Sequence, residues 1–295
     1  MPNALNYATA YQAALAQAYP YVLHFAALRS TENDGRYKWT GAKTIEIPSL
    51  STTGRVDGSR DTIGTATRNF DNAWEPKQLT NHRKWSTLVH PMDIDETNHV
   101  ASIQNITKVF NEEQKFPEMD AYMISKIFAD WGTAGGVADA EALTVGNILT
   151  KFDAWMEAMD EANVPASGRI MYATPAYITM LKQAVENSRY IQNGDAAVRR
   201  AVKSLDDVQL EKVPSALMKT VYDFTEGWKA GAGAKQINML LIHPSAVITP
   251  EKYAFAQLEA PSALSEGKYV YFEESYDDVF VLNKRINAIK FNTEA

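Results

Sequence analysis

A long polar stretch, Ser51 to Arg68, has almost no apolar residue to anchor it to a core. Strands are predicted on both sides of it, at Lys43–Ile47 and Lys84–Ile94. A structureless loop of this length is unusual inside a compact domain. A two-stranded ribbon that extends into solvent is also unstable alone. The segment makes physical sense if it lies on another subunit. In the second strand the two faces alternate, with Trp85, Thr87 and Val89 on one and Ser86, Leu88 and His90 on the other.

The composition is that of a folded protein. The chain has 295 residues, of which 45% are hydrophobic and 11% aromatic, so one large domain or two closely linked domains are expected. It contains no cysteine, which excludes a disulfide framework, cysteine-ligated zinc and thiol catalysis. The net charge of −7 argues against a protein that coats nucleic acid, because such a protein carries a basic surface.

The N-terminal residues have neither the positive start nor the apolar core of a secretion signal. The densest apolar run, Ile237–Ile242, is far too short to span a bilayer. We therefore expect a protein that is made and kept in a cytoplasm, without membrane contact. Residues 1–30 hold nine alanines, with Tyr7, Tyr11 and Leu15 on one helix face. They predict either a short surface helix or an arm that packs only on a neighbouring subunit.

Residues 99–131 carry the strongest helical pattern. Pro117 divides it, and a proline inside a helix either kinks it or starts a new helix. Glu118 and Asp120 suit a new helix N-terminus. The apolar face consists of Val100, Ile103, Ile106 and Phe110 before the proline and of Met119, Met123, Ile127 and Trp131 after it.

The middle of the chain predicts alternating helices and strands. Thr144 is expected to cap a helix, a strand follows at Arg169–Ala173, and Thr174-Pro175 is typical of a helix start. Asp195 is expected to cap one more short helix. The expected buried residues of these three helices are Val145, Ile148, Phe152, Trp155 and Met159, then Tyr177, Ile178, Leu181 and Val185, then Val198, Val202 and Leu205.

From residue 206 the pattern favours strands. They are expected at Val208–Val213, at the buried run Ile237–Ile242, and at Val247–Leu258 with an interruption at Pro250. Lys268–Ser275 and Val279–Phe291 flank a Tyr-Asp-Asp turn and predict a long hairpin.

No catalytic, cofactor or metal site is predicted from the motifs. Asp93, Asp95 and Glu96, with His90 and His99 nearby, suggest a metal less well than a solvated strand end that leads into a helix cap. His243 is expected at a turn after the buried strand. The glycine-rich segments 132–136 and 227–233 match no phosphate-binding motif and predict surface loops. Arg199, Arg200 and Lys203 favour a solvated helix face over contact with DNA.

Three segments carry a resemblance to one family. Residues 109–122, VFNEEQKFPEMDAY, followed by Ser125-Lys126, resemble a segment of tailed-bacteriophage major capsid proteins, with Met119 where isoleucine is frequent and Met123 where arginine is. Residues 163–175 and the pair 238–247 and 276–282 resemble two further segments of the same family, in the same order. The resemblance spans roughly residues 100–285.

The resemblance implies an α+β Hong Kong 97-type capsid fold. Its parts would be an N-terminal arm (1–30), an extended E-loop (31–98), a P-domain with a long spine helix (99–143), an A-domain (144–246) and the returning P-domain strands (247–295). Pro117 would then be a candidate hinge in the spine helix. Some family members crosslink subunits through lysine and asparagine, but no motif identifies such a pair here.

The implied function is structural. The subunit would form hexamers and pentamers of an icosahedral head, the virion capsid, assembled in the bacterial cytoplasm around double-stranded DNA without sequence-specific contact. Portal, scaffolding and possibly decoration proteins would be its other partners, with scaffolding as a separate protein. The alternative is an encapsulin-type compartment with protein cargo, which the long polar loop disfavours. An enzyme is the third class, but no nucleophile–base or metal spacing supports it.

Overall fold

A computed structural model describes residues 21–29, 31, 35–57, 60, 64, 68–97, 101–189 and 204–294. Its α-helices are α1 (Pro91–Glu96), α2 (Ile103–Phe110), α3 (Phe116–Thr133), α4 (Ile148–Glu161) and α5 (Pro175–Arg189). A π-helical segment, Asn111–Lys115, joins α2 to α3. Two expected features lie outside the described residues, namely the helix face at Tyr7, Tyr11 and Leu15 and the helix after Asp195 as far as residue 203. Leu205, expected on that helix, is buried as predicted but lies in a strand, Ser204–Leu205.

The strands fall into five sheets, ordered β1-β2-β3, β15-β10-β5-β7-β6, β11-β14, β12-β13-β4 and β8-β9, as far as the chain is described. In chain order they are β1 (Lys38–Trp39), β2 (Thr44–Thr52), β3 (Phe70–Gln78), β4 (Asn81–Val89), β5 (Ile170–Ala173), β6 (Ser204–Leu205), β7 (Val208–Lys212), β8 (Tyr222–Asp223), β9 (Lys229–Ala230), β10 (Ile237–Ile242), β11 (Val247–Ile248), β12 (Glu251–Glu259), β13 (Tyr269–Asp277), β14 (Phe280–Val281) and β15 (Ile289–Thr293).

Strands β2 and β3 form an antiparallel ribbon that runs from the Thr44–Gln78 pair to the Thr52–Phe70 pair. The strand predicted at Lys43–Ile47 is confirmed, and pairing with β3 extends it to Thr52. Strand β3 was not predicted. Its sequence, FDNAWEPKQ, lacks the alternation of a half-buried strand because neither of its faces is buried.

The strand predicted at Lys84–Ile94 is partly wrong. It ends at Val89, because Pro91 occupies the first turn of α1 and the His90 side chain caps that helix. The predicted alternation is confirmed, since the residues from Trp85 to Val89 on one face are less exposed than those on the other. Strand β4 pairs with β13 and not with the ribbon.

Pro117 lies in the first turn of α3, directly after the π-helical segment. The Phe116 N–H donates to the Asn111 carbonyl, one residue further back than in an α-helix. A proline ring collides with the carbonyl four residues before it, and the wider π turn moves that carbonyl away. The helix therefore continues through the proline position, with backbone angles in the α region at Phe110, Asn111 and Phe116.

The five-stranded sheet lies between two helical layers. On one face, α4 and α5 bury Phe152, Trp155 and Leu181 against it, and on the other α3 buries Ile127 and Trp131. Because both faces are covered, all six residues of β10 are buried, and this explains the continuous apolar run of that strand. The predicted helix at Thr144 begins later, at Ile148, because Asn147 closes a turn by accepting a hydrogen bond from the Thr144 N–H.

The long hairpin predicted after residue 268 is wrong. Strand β13 pairs with β12 and β4, whereas β14 pairs with β11 and β15 with β10. Val279, Phe280 and Phe291 are buried, so this part of the chain enters the core and does not return along β13. The break expected at Pro250 is confirmed, because it separates β11 from β12.

Candidate interaction surfaces

The outer part of the β2–β3 ribbon exposes apolar side chains. Leu50 is 60% exposed, Phe70 53% and Trp74 47%. Only the base of the ribbon has a core, in which Ile45 and Ile47 pack with residues of β11 and β14. Apolar side chains that project together from a strand pair without a core of its own mark a surface for contact with another molecule.

Asp278 holds the base of the ribbon against α3. Its carboxylate accepts hydrogen bonds from the Thr80 N–H (2.7 Å), the Tyr122 hydroxyl (2.8 Å) and the Val279 N–H (2.7 Å). The Lys126 ammonium lies 3.9 Å away. Burial and the neighbouring Asp278 raise the pKa of Tyr122, so its phenol stays protonated and donates. Thr80 lies between β3 and β4, so this cluster sets the direction in which the ribbon projects from the rest of the subunit.

Asp120 anchors the described N-terminal segment on α3. It accepts hydrogen bonds from the Tyr21 hydroxyl (2.6 Å) and from the N–H groups of His24 (2.9 Å) and Phe25 (3.3 Å). Burial raises the pKa of the Asp120 carboxyl, while these hydrogen bonds oppose the shift. Phe25 is fully buried against Tyr172, with ring centroids 4.7 Å apart.

The described N-terminal segment makes further contacts with the rest of the subunit through Arg29. The Arg29 guanidinium donates to the Met119 carbonyl (3.0 Å) and lies 3.8 Å from Asp277, and the Arg29 carbonyl accepts from the Thr249 hydroxyl (2.7 Å). Burial lowers the pKa of Arg29, and Asp277 opposes that shift. Residues 21–29, together with Thr31, whose hydroxyl donates to the Val247 carbonyl, thus join α3 to the strands β11 and β13. They lie far from both strands in sequence.

The π-helical segment is tied to the sheet β12-β13-β4 at both ends. Trp85 stacks on Phe110 with 3.8 Å between centroids, and the Lys115 ammonium lies 3.1 Å from Glu273. Beyond the segment, Arg83 forms an ion pair with Glu118 and donates to the Phe224 carbonyl. Pro117 is buried between these contacts. The candidate hinge therefore lies where the long helix meets the sheet.

Four of the residues weighed as metal ligands lie at α1, namely His90, Asp93, Asp95 and Glu96. Asp93 and Asp95 lie on α1 and not on a strand face, and the His90 Nδ1 accepts the Met92 N–H to cap that helix. In the described part of the chain, no three histidine or acidic side chains are placed to hold a metal ion. His243 is confirmed at the turn after β10, where its Nδ1 lies 2.7 Å from the Ser245 hydroxyl. His99, Arg199, Arg200 and Lys203 lie outside the described residues.

The two glycine-rich segments are mostly exposed, as predicted for surface loops, although the first includes the end of α3 and the second includes β9. One glycine in each segment is packed closely against a neighbour. A Cβ at Gly136 would lie 2.2 Å from the Trp131 ring, and a Cβ at Gly231 would lie 2.8 Å from Val221. Only glycine fits at either position without a shift of its neighbours, so close packing accounts for these residues. Among the described helices, none is both long and apolar enough to cross a membrane.

Solved structures of phage capsids are similar to this chain. The capsid structure of the cyanophage P-SCSP1u matches with a TM-score of 0.69 and 14% identity, over 95% of this chain and 90% of that chain. The mature capsid of bacteriophage PhiM1 matches with a TM-score of 0.67 and 13% identity, over 95% and 89%. The head structure of Helicobacter pylori bacteriophage KHP40 matches with 0.61 and 10% identity, over 94% and 93%. No protein-family model matches the chain, and no curated protein does.

The chain therefore has the fold of phage capsid proteins, a mixed fold of helices and sheets. The α+β class and the capsid fold implied by the sequence resemblance are confirmed. From the sequence, Asp120 was expected only at a helix N-terminus and Asp278 only in a turn, so their roles in joining the parts of this fold were not predicted. One signal was present, because Asp120 shares the buried face of α3 with Met123 and Ile127 at helical spacing.

Proposed function

We propose that the chain is the major capsid protein of a tailed bacteriophage, the subunit of an icosahedral head. The observation that carries this proposal is the similarity to phage capsid structures over almost the whole chain. The exposed apolar residues on the ribbon supply the second support, because a shell subunit needs surfaces that are buried only between copies. The role is structural, not catalytic.

We assign the parts of the chain accordingly. Residues 1–30 are the arm, 99–143 the P-domain with its spine helix, 144–246 the A-domain and 247–295 the returning P-domain strands. The E-loop begins at residue 31. Its assigned end at residue 98 needs one refinement, since β4 pairs with β13 and belongs with the P-domain strands. The extended loop then comprises the ribbon up to Gln78.

Assembly into hexamers and pentamers follows from head-to-tail contacts that close into rings. The ribbon and arm of one subunit would cover a neighbour. The net charge of −7 suits a shell that encloses double-stranded DNA without sequence-specific contact, because mobile cations screen the negative charges of the subunit and of the DNA. Portal, scaffolding and possibly decoration proteins complete the proposed partners. The head would assemble in the bacterial cytoplasm.

Pro117 and the π-helical segment form the proposed hinge of the spine helix. The π turn there, in which the Phe116 N–H donates to the Asn111 carbonyl, supports this assignment, because such turns inside helices often lie at functional sites. Replacement of Pro117 with alanine allows a regular α-helix. We expect this variant to form shells of altered size or in altered maturation yield, as seen by electron microscopy. Particles like those of the wild type would contradict the proposed hinge.

The proposed function is tested by negative-stain electron microscopy of the recombinant protein, alone and with the products of its neighbouring genes. Closed shells or capsomer rings are expected. Shells that contain DNA would support a phage head, whereas shells that contain a protein cargo would indicate an encapsulin-type compartment. A monodisperse monomer under both conditions contradicts the proposal.

A further inference from the structure

The sheet β12-β13-β4 has almost no share in the apolar cores of the subunit. In the described part of the chain, no residue of β4 or β12 belongs to a core cluster, and from β13 Tyr276 alone packs against one. All nine residues of β12 are exposed. Apolar burial holds the five-stranded sheet between its helices, but it contributes little to the attachment of this second sheet.

Three ion pairs attach the sheet to the start of α3. Each joins a residue of β4 or β13 to the long helix or to the described N-terminal segment, and they are Arg83–Glu118, Lys115–Glu273 and Arg29–Asp277. Because Arg29 also donates to the Met119 carbonyl, all three pairs meet the helix within residues 115–119. Their side chains keep between 12% and 35% of their exposure. Partly exposed ion pairs are weak individually, and dissolved salt weakens them further.

A cleft of about 970 Å³ lies between the sheet and the long helix, and all six of these charged side chains line it. One ring stack also crosses from the sheet to the helix, between Trp85 and Phe110. Since the charged groups line a cleft and remain partly exposed, water and dissolved ions reach the pairs. The attachment of the sheet therefore depends on the ionic strength of the solution.

The three strands meet the rest of the subunit at one end of the sheet, beside Thr80, Pro250 and Asp278. The Asp278 N–H donates to the Pro250 carbonyl (3.1 Å), and its carboxylate accepts from the Thr80 N–H, so this end is held together. At the other end β12 turns back into β13, and β4 leads into α1. The sheet can therefore change its angle to α3 about the fixed end while its strands stay paired.

We infer that charge holds the sheet β12-β13-β4 on α3, and that the angle between the two depends on ionic strength. At low ionic strength the three ion pairs close the sheet onto the helix. As salt screens them, an arrangement with a wider cleft becomes populated, while the five-stranded sheet stays folded. The inference concerns the single subunit and rests neither on shell formation nor on the proposed hinge at Pro117.

The test measures a distance between the sheet and the rest of the subunit. The chain contains no cysteine, so two introduced cysteines take spin labels at defined positions. Ser86→Cys labels the exposed face of β4, opposite to the face of Trp85, and Ala176→Cys labels an exposed position of α5. An excess of unlabelled protein keeps labelled copies apart. Pulsed electron spin resonance gives the distance at about 0.01 M and about 1 M salt, where charges act over about 30 Å and about 3 Å.

We expect one distance at the lower ionic strength and a second distance at the higher. The population of the second should rise about tenfold, as three partly exposed ion pairs allow. The variant Glu118→Gln/Glu273→Gln keeps the shape of both side chains and should show the second distance at low ionic strength. Its matched control, Glu157→Gln/Glu161→Gln on the exposed face of α4, removes the same charge elsewhere and should behave like the labelled parent.

A charge exchange tests one pair directly. Lys115→Glu places two carboxylates opposite each other and should populate the second distance at low ionic strength. Lys115→Glu/Glu273→Lys restores opposite charges and should return the first distance. A purely steric role of these side chains would not be restored by the exchange.

A single distance at both ionic strengths and in every variant would overturn the inference. So would a second distance that appears equally in the control, or one that the charge exchange does not reverse. Circular dichroism at each ionic strength follows the fold, and a second distance that appears only with loss of the folded spectrum would indicate unfolding and likewise contradict the inference. If a variant does not fold, the salt dependence of the labelled parent decides. Shell formation is measured separately, so failure here leaves the proposed function untouched.

Discussion

The β2–β3 ribbon and the five-stranded sheet differ in what covers their strands. All six residues of β10 are buried, whereas no residue of β3 is. Two helical layers enclose the sheet, so its stability is a property of the single subunit. The ribbon has a core only at its base. A strand pair of this kind gains little by folding alone, so its outer part makes sense as a contact for another molecule.

The largest effect on the stability of the subunit is expected in the five-stranded sheet and the helices that cover it, which we call the body. Leu240 is fully buried at the centre of β10, between Tyr172 of β5 and Phe291 of β15. Replacement with alanine leaves a cavity and should lower the free energy of unfolding by about 3 kcal/mol. Urea denaturation measures this. Leu88, which is 61% exposed, is the control, and its alanine variant should change the value by less than about 0.5 kcal/mol. Similar losses of unfolding free energy in the Leu240 and Leu88 variants would contradict the proposed difference between buried and exposed positions.

An intermediate effect is expected at the junction of the two regions. Asp278→Ala leaves the Thr80 and Val279 N–H groups and the Tyr122 hydroxyl without their acceptor. The loss should be about 2 kcal/mol, with earlier proteolytic cleavage of the ribbon. Asp278→Asn keeps one acceptor oxygen and should lose less. If both variants match the wild type in urea denaturation and in limited proteolysis, Asp278 does not hold the ribbon in place.

The smallest effect on subunit stability is expected on the ribbon. Trp74 is 47% exposed, so Trp74→Ser should change the free energy of unfolding by less than about 0.5 kcal/mol. The same change should strongly reduce the yield of shells, because it removes apolar contact area between subunits. Trp74→Phe retains that area and should assemble. A loss of stability comparable to that of Leu240→Ala would mean that the ribbon folds as part of the body.

The body was the more predictable region. Helices α4 and α5 were found from their spacing of apolar residues and strand β10 from its continuous apolar run, because burial within the subunit leaves an apolar pattern in the sequence. Strand β3 left no such pattern, since neither of its faces is buried. Apolar patterning therefore detected these covered elements and missed β3, although it also predicted β12, all nine residues of which are exposed.

Long-range partners were the second limit. The hairpin predicted after residue 268 was wrong because local alternation shows that a segment is a strand but not with which strand it pairs. Asp278 was taken as part of a turn, although its partners Thr80 and Tyr122 lie 198 and 156 residues away. Such contacts leave no local pattern in one sequence. Resemblance to a family supplied the fold that periodicity could not.

The central claim is that the ribbon and the loop at its end, residues 53–69, are needed between subunits and not within one. Replacement of residues 53–69 with Asn-Gly closes β2 and β3 by a short turn beyond their last pair, Thr52 and Phe70. Urea denaturation and electron microscopy of this variant beside the wild type make the direct measurement. We predict an unchanged unfolding midpoint with shells from the wild type and none from the variant. Normal shells from the variant would contradict the account.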